Sequence, residues 1–301
     1  MKNKHDLIIV GAGPAGLTAA IYAARYNLEF IMIGKLPGGE ISEAHRVCNF
    51  PSQNNIGGFE LAQEMINHAK ELNVQIVQEN VVSIEKKKDF LIKTDKEIYT
   101  AKKIIIATGR TKQKLNVPGE EEFLGNGVSY CATCDAPFYK GKEVAVIGGG
   151  DAALTAALLL AEHAKKVHVV YRKDRFSKAE PAWVDHVNRN SKISTRFNSE
   201  VSEIQGKDRV ERIKLKDGSM MDLGGVFIEI GSVPESSIFD KLALNSENGY
   251  IITDRKQRTN VSGVFAAGDI TNNHLKQVIT ASGEGAVAAY SVYEELMQNG
   301  N

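Results

Sequence analysis

Cys131, Cys134 and Asp135 stand together in the stretch Cys131-Ala132-Thr133-Cys134-Asp135, and the spacing admits more than one chemistry. Two thiols two residues apart can close a small redox-active disulfide or supply part of a metal site, and the neighbouring carboxyl can move a proton. A structural zinc site needs four ligands, and no second cysteine pair or suitably spaced histidine pair accompanies this one. With 3 cysteines in 301 residues the chain cannot build a disulfide scaffold. The pair therefore reads as redox chemistry in a reducing compartment, with two structural thiols as the plainer alternative. Cys48 stands alone and reads as a small buried hydrophobe without a role.

Two glycine-rich turns flank the pair. Residues 6–10 form a short β-rich run that ends in Gly11-Ala12-Gly13-Pro14-Ala15-Gly16, and a helical pattern continues through Arg25. In such a turn the first glycine permits the tight bend, the second lets backbone approach a pyrophosphate, and the third lets helix pack on strand. The helix N-terminal amides then face the phosphates. The next strand, 29–33, ends in Gly34-Lys35 where an acid would bind ribose hydroxyls, so the simple NAD fingerprint is broken. Leu36-Pro37-Gly38-Gly39-Glu40 is either a surface connection or a loop that brings backbone against a large ligand.

A helix is expected over 59–72, then short strands at 74–77, 81–85, 90–94 and 104–106, the last running into Ala107-Thr108-Gly109. A second unit follows the turn at Pro118-Gly119: strand 144–147, the turn Gly148-Gly149-Gly150-Asp151-Ala152-Ala153, helix 154–163 and strand 167–170. The two strand–turn–helix segments resemble one another, an internal duplication of a nucleotide-binding unit. Beyond a helix around Trp183, strands are expected at 210–216 and at 226–230, before Gly231, and again within 263–269. A long final helix, 275–297, starts with Lys276-Gln277-Val278 and is loosened by Gly283 and Gly285.

Lys plus Arg and Asp plus Glu both number 37, and 43% of residues are hydrophobic. A neutral chain without a basic run gives no reason to expect nucleic acid or an anionic membrane as partner. The apolar run 7–10 is too short for a signal peptide, and 152–161 falls short of the ~20 residues that span a bilayer. A cytoplasmic location is expected.

Taken in order, the Gly11–Gly16 turn, Ala107-Thr108-Gly109, Cys131–Asp135, the Gly148 turn and Gly263–Asp269 resemble the low-molecular-weight thioredoxin reductases over the whole chain. The resemblance implies an α/β fold of two Rossmann-like dinucleotide-binding domains, the second inserted in the first. Residues 1–112 and 243–301 would form a discontinuous FAD domain, and 113–242 a pyridine-nucleotide domain carrying the cysteines. Contacts to FAD would come from Gly11, Gly13, Pro14, Ala15, Gly16, Gly39, Glu40, Asn49, Ala107, Thr108, Gly109, Gly268, Asp269, Lys276, Gln277 and Val278. Glu40 stands where the family usually carries glutamine and lacks the amide donors. Gly148, Gly150, Asp151, Ala152, Ala153, Arg172, Lys173 and Gly231 would bind NADPH. No metal is implied.

The resemblance also implies an order of events. Electrons pass from NADPH through FAD to a Cys131–Cys134 disulfide and on to thioredoxin or a thioredoxin-like protein. Cys134 would face the flavin, Cys131 would attack the partner's disulfide, and Asp135 would protonate the leaving thiolate. A homodimer is implied, as is a hinge rotation on linkers near 112–118 and 242–248. The donor site departs from the family: a His-Arg-Arg…Arg cluster becomes Tyr171-Arg172-Lys173 and Ser177, with Arg175 and Lys178 nearby. Lysine binds phosphate without the bidentate fork. NADH, ferredoxin as donor, or a peroxiredoxin-linked acceptor are the nearer alternatives. A flavin-bound redox sensor and a plain NAD(P)H oxidase are the more distant ones.

Overall fold

The computed structural model describes residues 3–298. Its chain divides into two compact units, one formed by residues up to Ser42, Val47–Thr111 and Val233 onward, the other by Glu43–Arg46 and Lys112–Ser232.

Strand β1 (Lys4–Val10) leads into helix α1 (Pro14–Arg25), followed by β2 (Phe30–Ile33), α2 (Gly58–Glu71) and β3 (Ile76–Val77). Strands β4 (Val81–Lys86), β5 (Phe90–Thr94) and β6 (Ile98–Ile106) complete the first run. Leu7, Ile8, Ile9 and Val10 are all buried, the continuous apolar run of a parallel strand covered on both faces. Pro14 sits in the first turn of α1, where its missing N–H costs nothing.

After β7 (Arg110–Lys112) come β8 (Val128–Ser129), the single turn α3 (Ala132–Asp135), β9 (Glu143–Ile147), α4 (Asp151–His163), β10 (Lys166–Val170), α5 (Pro181–Arg189) and β11 (Ile193–Arg196). The antiparallel strands β12 (Val201–Gly206), β13 (Val210–Leu215) and β14 (Met220–Asp222) precede β15 (Gly225–Ile228). Strand β16 (Ser232–Pro234) pairs with β7. The chain ends with β17 (Ser246–Glu247), β18 (Tyr250–Ile251), β19 (Val264–Ala266) and α6 (Val278–Gln298).

In the first unit the strands run in the order β3-β2-β1-β6-β5-β4. Strand β6 divides its length: Ile98–Ala101 pairs antiparallel with β5, and Ile104–Ile106 pairs parallel with β19. The parallel register sets Val10 beside Ile33 and Ile106, and Ile106 beside Ala266. Four strands therefore end at one edge, and the loops after them leave the sheet together. Alternation sends Ile9, Ile105 and Phe265 into one core layer under α1 and α6, and Ile8, Ile104 and Ile106 into the other.

The second unit carries a five-stranded sheet in the order β11-β10-β9-β15-β8, with all four neighbouring pairs parallel. Ile147 lies beside Val170 and Ile228, so a second common edge forms. Parallel sheets of this kind bind ligands outside the carboxyl ends of their strands.

Three expectations shift. The chain re-enters the first unit at 232/233, about ten residues before the 242/243 that the resemblance implies. The cause is packing: Ile238, Phe239 and Leu242, on a 3-10 turn, bury against Val81 and Ile84 of the first sheet. The final helix starts at Val278, so Leu275, Lys276 and Gln277 precede it. The hydroxyl of Thr280 donates to the carbonyls of Leu275 and Gln277 and accepts from the Gln277 N–H, closing that entry turn. Gly285 does not loosen α6. A Cβ there would stand 2.1 Å from the Ala15 carbonyl oxygen, so glycine is what lets α6 cross α1 closely, alongside Ala19, Ala20, Ala288 and Ala289.

Candidate functional site: a disulfide and two glycine-rich turns

Cys131 and Cys134 are joined, with an S–S distance of 2.06 Å. Strand β8 delivers the pair: Val128 and Ser129 pair with Val226 and Phe227 of β15, and the chain leaves the carboxyl edge of the second sheet straight into Cys131. The Ser129 hydroxyl accepts the Cys131 N–H at 3.0 Å and donates to the Cys131 carbonyl at 3.3 Å. Cys131 caps α3, its Sγ accepting the Cys134 N–H at 3.1 Å. Cys131 is half-buried and Cys134 exposed; Cys48, expected to be buried, is a free and exposed thiol instead. The Asp135 N–H closes the turn on the Cys131 carbonyl at 3.2 Å. Burial pushes the Tyr139 hydroxyl up, and the charge of Asp135 adds to the effect.

Upstream, a buried carboxylate ties this strand to the start of the unit. Glu120, 2% exposed, accepts the N–H groups of Leu115 (2.8 Å) and Asn116 (2.6 Å) and, more weakly, Val117 (3.4 Å). It also takes a short hydrogen bond from the hydroxyl of Tyr130, the residue before Cys131. Burial and that carboxylate push the Tyr130 hydroxyl far above the usual phenol range.

The two nucleotide-type turns repeat one geometry. Gly11 (φ +112°) and Gly148 (φ +145°) are both in backbone conformations that side chains rarely adopt. A Cβ at Gly11 would lie 2.2 Å from the Ala107 oxygen, and one at Gly148 would lie 2.1 Å from the Glu229 oxygen. Each first glycine is thus wedged against the exit of the neighbouring strand. Gly150 and Gly231 face open space on the second edge, leaving backbone accessible to a dinucleotide. Asp151 opens α4 and its carboxylate accepts the Glu180 N–H at 2.6 Å, while Gly150 bridges to Lys178. Lys178 is thereby brought alongside the turn. Arg172, Lys173, Arg175 and Lys178 are all exposed, and Lys173 reaches Ser177 at 3.4 Å. Arg172 also faces Glu200, whose carboxyl is held low first by Lys216.

At the edge of the first sheet, Gly13 and Gly39 approach so closely that a Cβ on Gly39 would lie 2.8 Å from the Gly13 Cα. The Leu36–Glu40 loop is therefore brought onto the first turn, as its glycines suggest. Asn49 donates to the Gln277 side chain at 3.1 Å. Lys276 bonds the Thr271 carbonyl and lies over the Tyr250 ring at 4.4 Å. Burial pushes its amine below the ordinary lysine range, with Asp269 opposing.

Asp269 follows β19 and pairs with Arg110 at 2.8 Å. Burial raises its carboxyl above the usual value, Arg110 opposes that, and Glu40 adds to it. Its loop is latched by the buried Glu284 of α6, which accepts from the Gly268 N–H (2.7 Å), the Thr271 hydroxyl (3.0 Å) and the Asn273 amide. The buried Thr108 Oγ1, Arg110 Nε and Ser282 Oγ have no hydrogen-bond partner among the described residues. Buried polar atoms of this kind call for a partner, and a polar dinucleotide bound along this edge would supply one.

Arg110, Ser282 and Glu284 were not singled out by sequence. Arg110 had a signal, since it directly follows Ala107-Thr108-Gly109. Ser282 and Glu284 are legible only once α6 is seen to pass the end of β19.

Comparison with known proteins decides the family. A model of the pyridine nucleotide-disulphide oxidoreductases matches residues 5–285. The chain belongs to that family. Within it, the thioredoxin reductase of Bacillus subtilis (strain 168) is 40% identical over 304 residues, covering 98% of this chain and 96% of that protein. The crystal structure of Lactococcus lactis thioredoxin reductase (FR conformation) superposes with a TM-score of 0.93 at 35% identity, covering 98% of this chain and 99% of the other. A ferredoxin-flavin thioredoxin reductase from Clostridium acetobutylicum is also 35% identical, with a TM-score of 0.55 and coverage of 98% and 99%. This family member is a disulfide reductase: its bonded cysteine pair sits at the carboxyl edge of a nucleotide-type sheet. Among the described residues no helix is long and apolar enough to cross a membrane.

Proposed function

We propose that the chain is an FAD-dependent thioredoxin-disulfide reductase that draws electrons from NADPH and delivers them through Cys131 and Cys134 to thioredoxin or a thioredoxin-like protein. The observation that carries this reading is the Cys131–Cys134 disulfide, leaving the same sheet edge as a second glycine-rich turn. Bound FAD supplies a two-electron carrier suited to link a pyridine nucleotide to a disulfide.

The unit containing the first turn is assigned to FAD. Gly11, Gly13, Pro14, Ala15 and Gly16 present backbone to the pyrophosphate, and Gly39, Glu40 and Asn49 flank it. Ala107, Thr108, Gly109, Gly268, Asp269, Lys276, Gln277 and Val278 close the edge. The unpartnered buried oxygens of Thr108 and Ser282 support that assignment. The inserted unit is assigned to NADPH, with Gly148, Gly150, Asp151, Ala152, Ala153 and Gly231 on the dinucleotide and Arg172 and Lys173 on the 2′-phosphate. Exposed cations and open backbone at Gly150 and Gly231 fit that role.

The cysteines take separate parts. The Cys134 N–H already points at the Cys131 sulfur, and a donated hydrogen bond favours a thiolate. Cys131 is therefore assigned the attack on the partner's disulfide and Cys134 the exchange with the cofactor. Asp135, in the same turn, hands a proton to the departing thiolate. A cytoplasmic homodimer belongs to the same proposal, and sedimentation tests its oligomeric part.

Two observations keep a second donor as the alternative to test. Two arginines of the expected basic cluster are replaced, by Lys173 and Ser177, and the Clostridium acetobutylicum relative is a ferredoxin-flavin thioredoxin reductase. Anaerobic stopped-flow reduction by NADPH, NADH and reduced ferredoxin in turn decides between them. Rapid bleaching by NADPH supports the first reading; bleaching by ferredoxin alone replaces it.

A further inference from the structure

The first unit pairs opposite charges at the carboxyl edge of its sheet. Ile106 and Ala266 are register partners, so the residues just past them, Arg110 and Asp269, emerge side by side and form the 2.8 Å ion pair. Their side chains are only 22% and 21% exposed. The negative charge of Glu40 bears on the same aspartate, as does the positive charge of Lys276. The Arg110–Asp269 pair thus lies in the field of the exposed Glu40 and of Lys276, and the Arg110 Nε remains buried without a hydrogen-bond partner among the described residues.

A second carboxylate near a largely buried one favours its protonation, and a cation paired with the buried carboxylate offsets that. A dinucleotide carries its own phosphate charge and acts in the same direction as the second carboxylate. We propose that Arg110 is a positioning residue of the FAD site: the counter-charge that keeps Asp269 aligned and allows Glu40 to stand beside it. The proposal rests on the FAD assignment of this unit. Lys276 acts on Asp269 only through its field, because its amine is held by the Thr271 carbonyl and the Tyr250 ring. Arg110 alone contributes a planar fork, one nitrogen on Asp269 and another left for ligand.

The test uses full-length protein stripped of flavin and titrated with FAD, with binding read by flavin fluorescence and the midpoint potential by spectroelectrochemistry. Arg110→Met is expected to weaken FAD binding by about tenfold or more, the scale of one charge-assisted pair. It should also lower the potential by about 30 mV, equivalent to tenfold for a two-electron couple. Arg110→Lys should keep most of the potential. Glu40→Gln in the Arg110→Met background should recover most of the lost affinity, a rescue that a purely structural arginine would not allow. Should Arg110→Met fail to fold, Glu40→Gln alone still decides: it should tighten FAD binding and raise the potential. Unchanged affinity in Arg110→Met, absence of rescue in the double variant, or a Glu40→Gln protein identical to the parent overturns the proposal. Failure of the parent protein itself to bind FAD instead removes the cofactor assignment.

Discussion

Removing the carboxylate of Glu120 should loosen the segment that holds the redox pair. Glu120 is 2% exposed and serves the Leu115 and Asn116 amides at 2.8 and 2.6 Å together with the Tyr130 hydroxyl. A hydrogen bond to a charged group contributes roughly 1.5–3 kcal/mol, and a buried donor left unmet costs about 1–3 kcal/mol. The two amides lie in a partly exposed loop that water can reach after truncation, so their loss is smaller than the full sum. For Glu120→Ala a net local cost of about 3 kcal/mol follows. Two units make a single unfolding transition unsafe as a measure, and amide hydrogen exchange is the better assay. At 1.4 kcal/mol per factor of ten, protection at Leu115 and Asn116 should fall roughly 100-fold. Tyr130→Phe removes one bond and should cost about 1 kcal/mol. A loss of less than tenfold at both amides in Glu120→Ala would refute the clamp.

Further outcomes follow from the same geometry. Cys131→Ser should abolish thioredoxin reduction while the bound flavin is still bleached by donor, and Cys134→Ser should leave Cys131 as the one thiol of the pair reactive to alkylation. Flavin absorbance with a thioredoxin turnover assay checks the first, and mass mapping of the alkylated thiol the second. Arg172→Ala with Lys173→Ala should raise the KM for NADPH by about tenfold or more while leaving NADH use unchanged, since one phosphate contact is at stake; steady-state kinetics with each nucleotide distinguishes them. In the flavin-free protein, Asp269 should couple stability to pH. Its carboxyl is raised by burial, so its contribution is complete below the unfolded aspartate value, near 3.9, and is lost as pH rises through the raised folded value. Asp269→Asn should remove that decline, measured by chemical denaturation from pH 4 to pH 7.

Long periodic segments announce themselves, and short ones do not. The run Leu7–Val10 followed by Gly11 and Pro14 could form little but strand, turn and helix, and the structure places β1 and α1 there. The second turn repeats it. The disulfide pair was legible because chemistry restricts what two close cysteines can do. By contrast, β7, β8 and β16 are two or three residues long, below the length at which alternation carries information. Their existence depends on partners distant in sequence. The return boundary was misplaced for the same reason, since Phe239 reveals its allegiance only through Val81 and Ile84. Gly285 looked like a helix weakness because sequence does not show that Ala15 lies against it. Nothing in the sequence links Arg110 to Asp269, and only the register of β6 with β19 brings them together.

The central claim is that electrons leave this chain through Cys131 and Cys134. Anaerobic titration of the flavin-loaded protein with its donor, followed by thiol counting and mass mapping, tests it directly. Reduction should release two new thiols per chain, at Cys131 and Cys134, and both should vanish on addition of oxidised thioredoxin. Full flavin reduction with the Cys131–Cys134 disulfide intact, or thiols that persist in the presence of oxidised thioredoxin, would contradict the account.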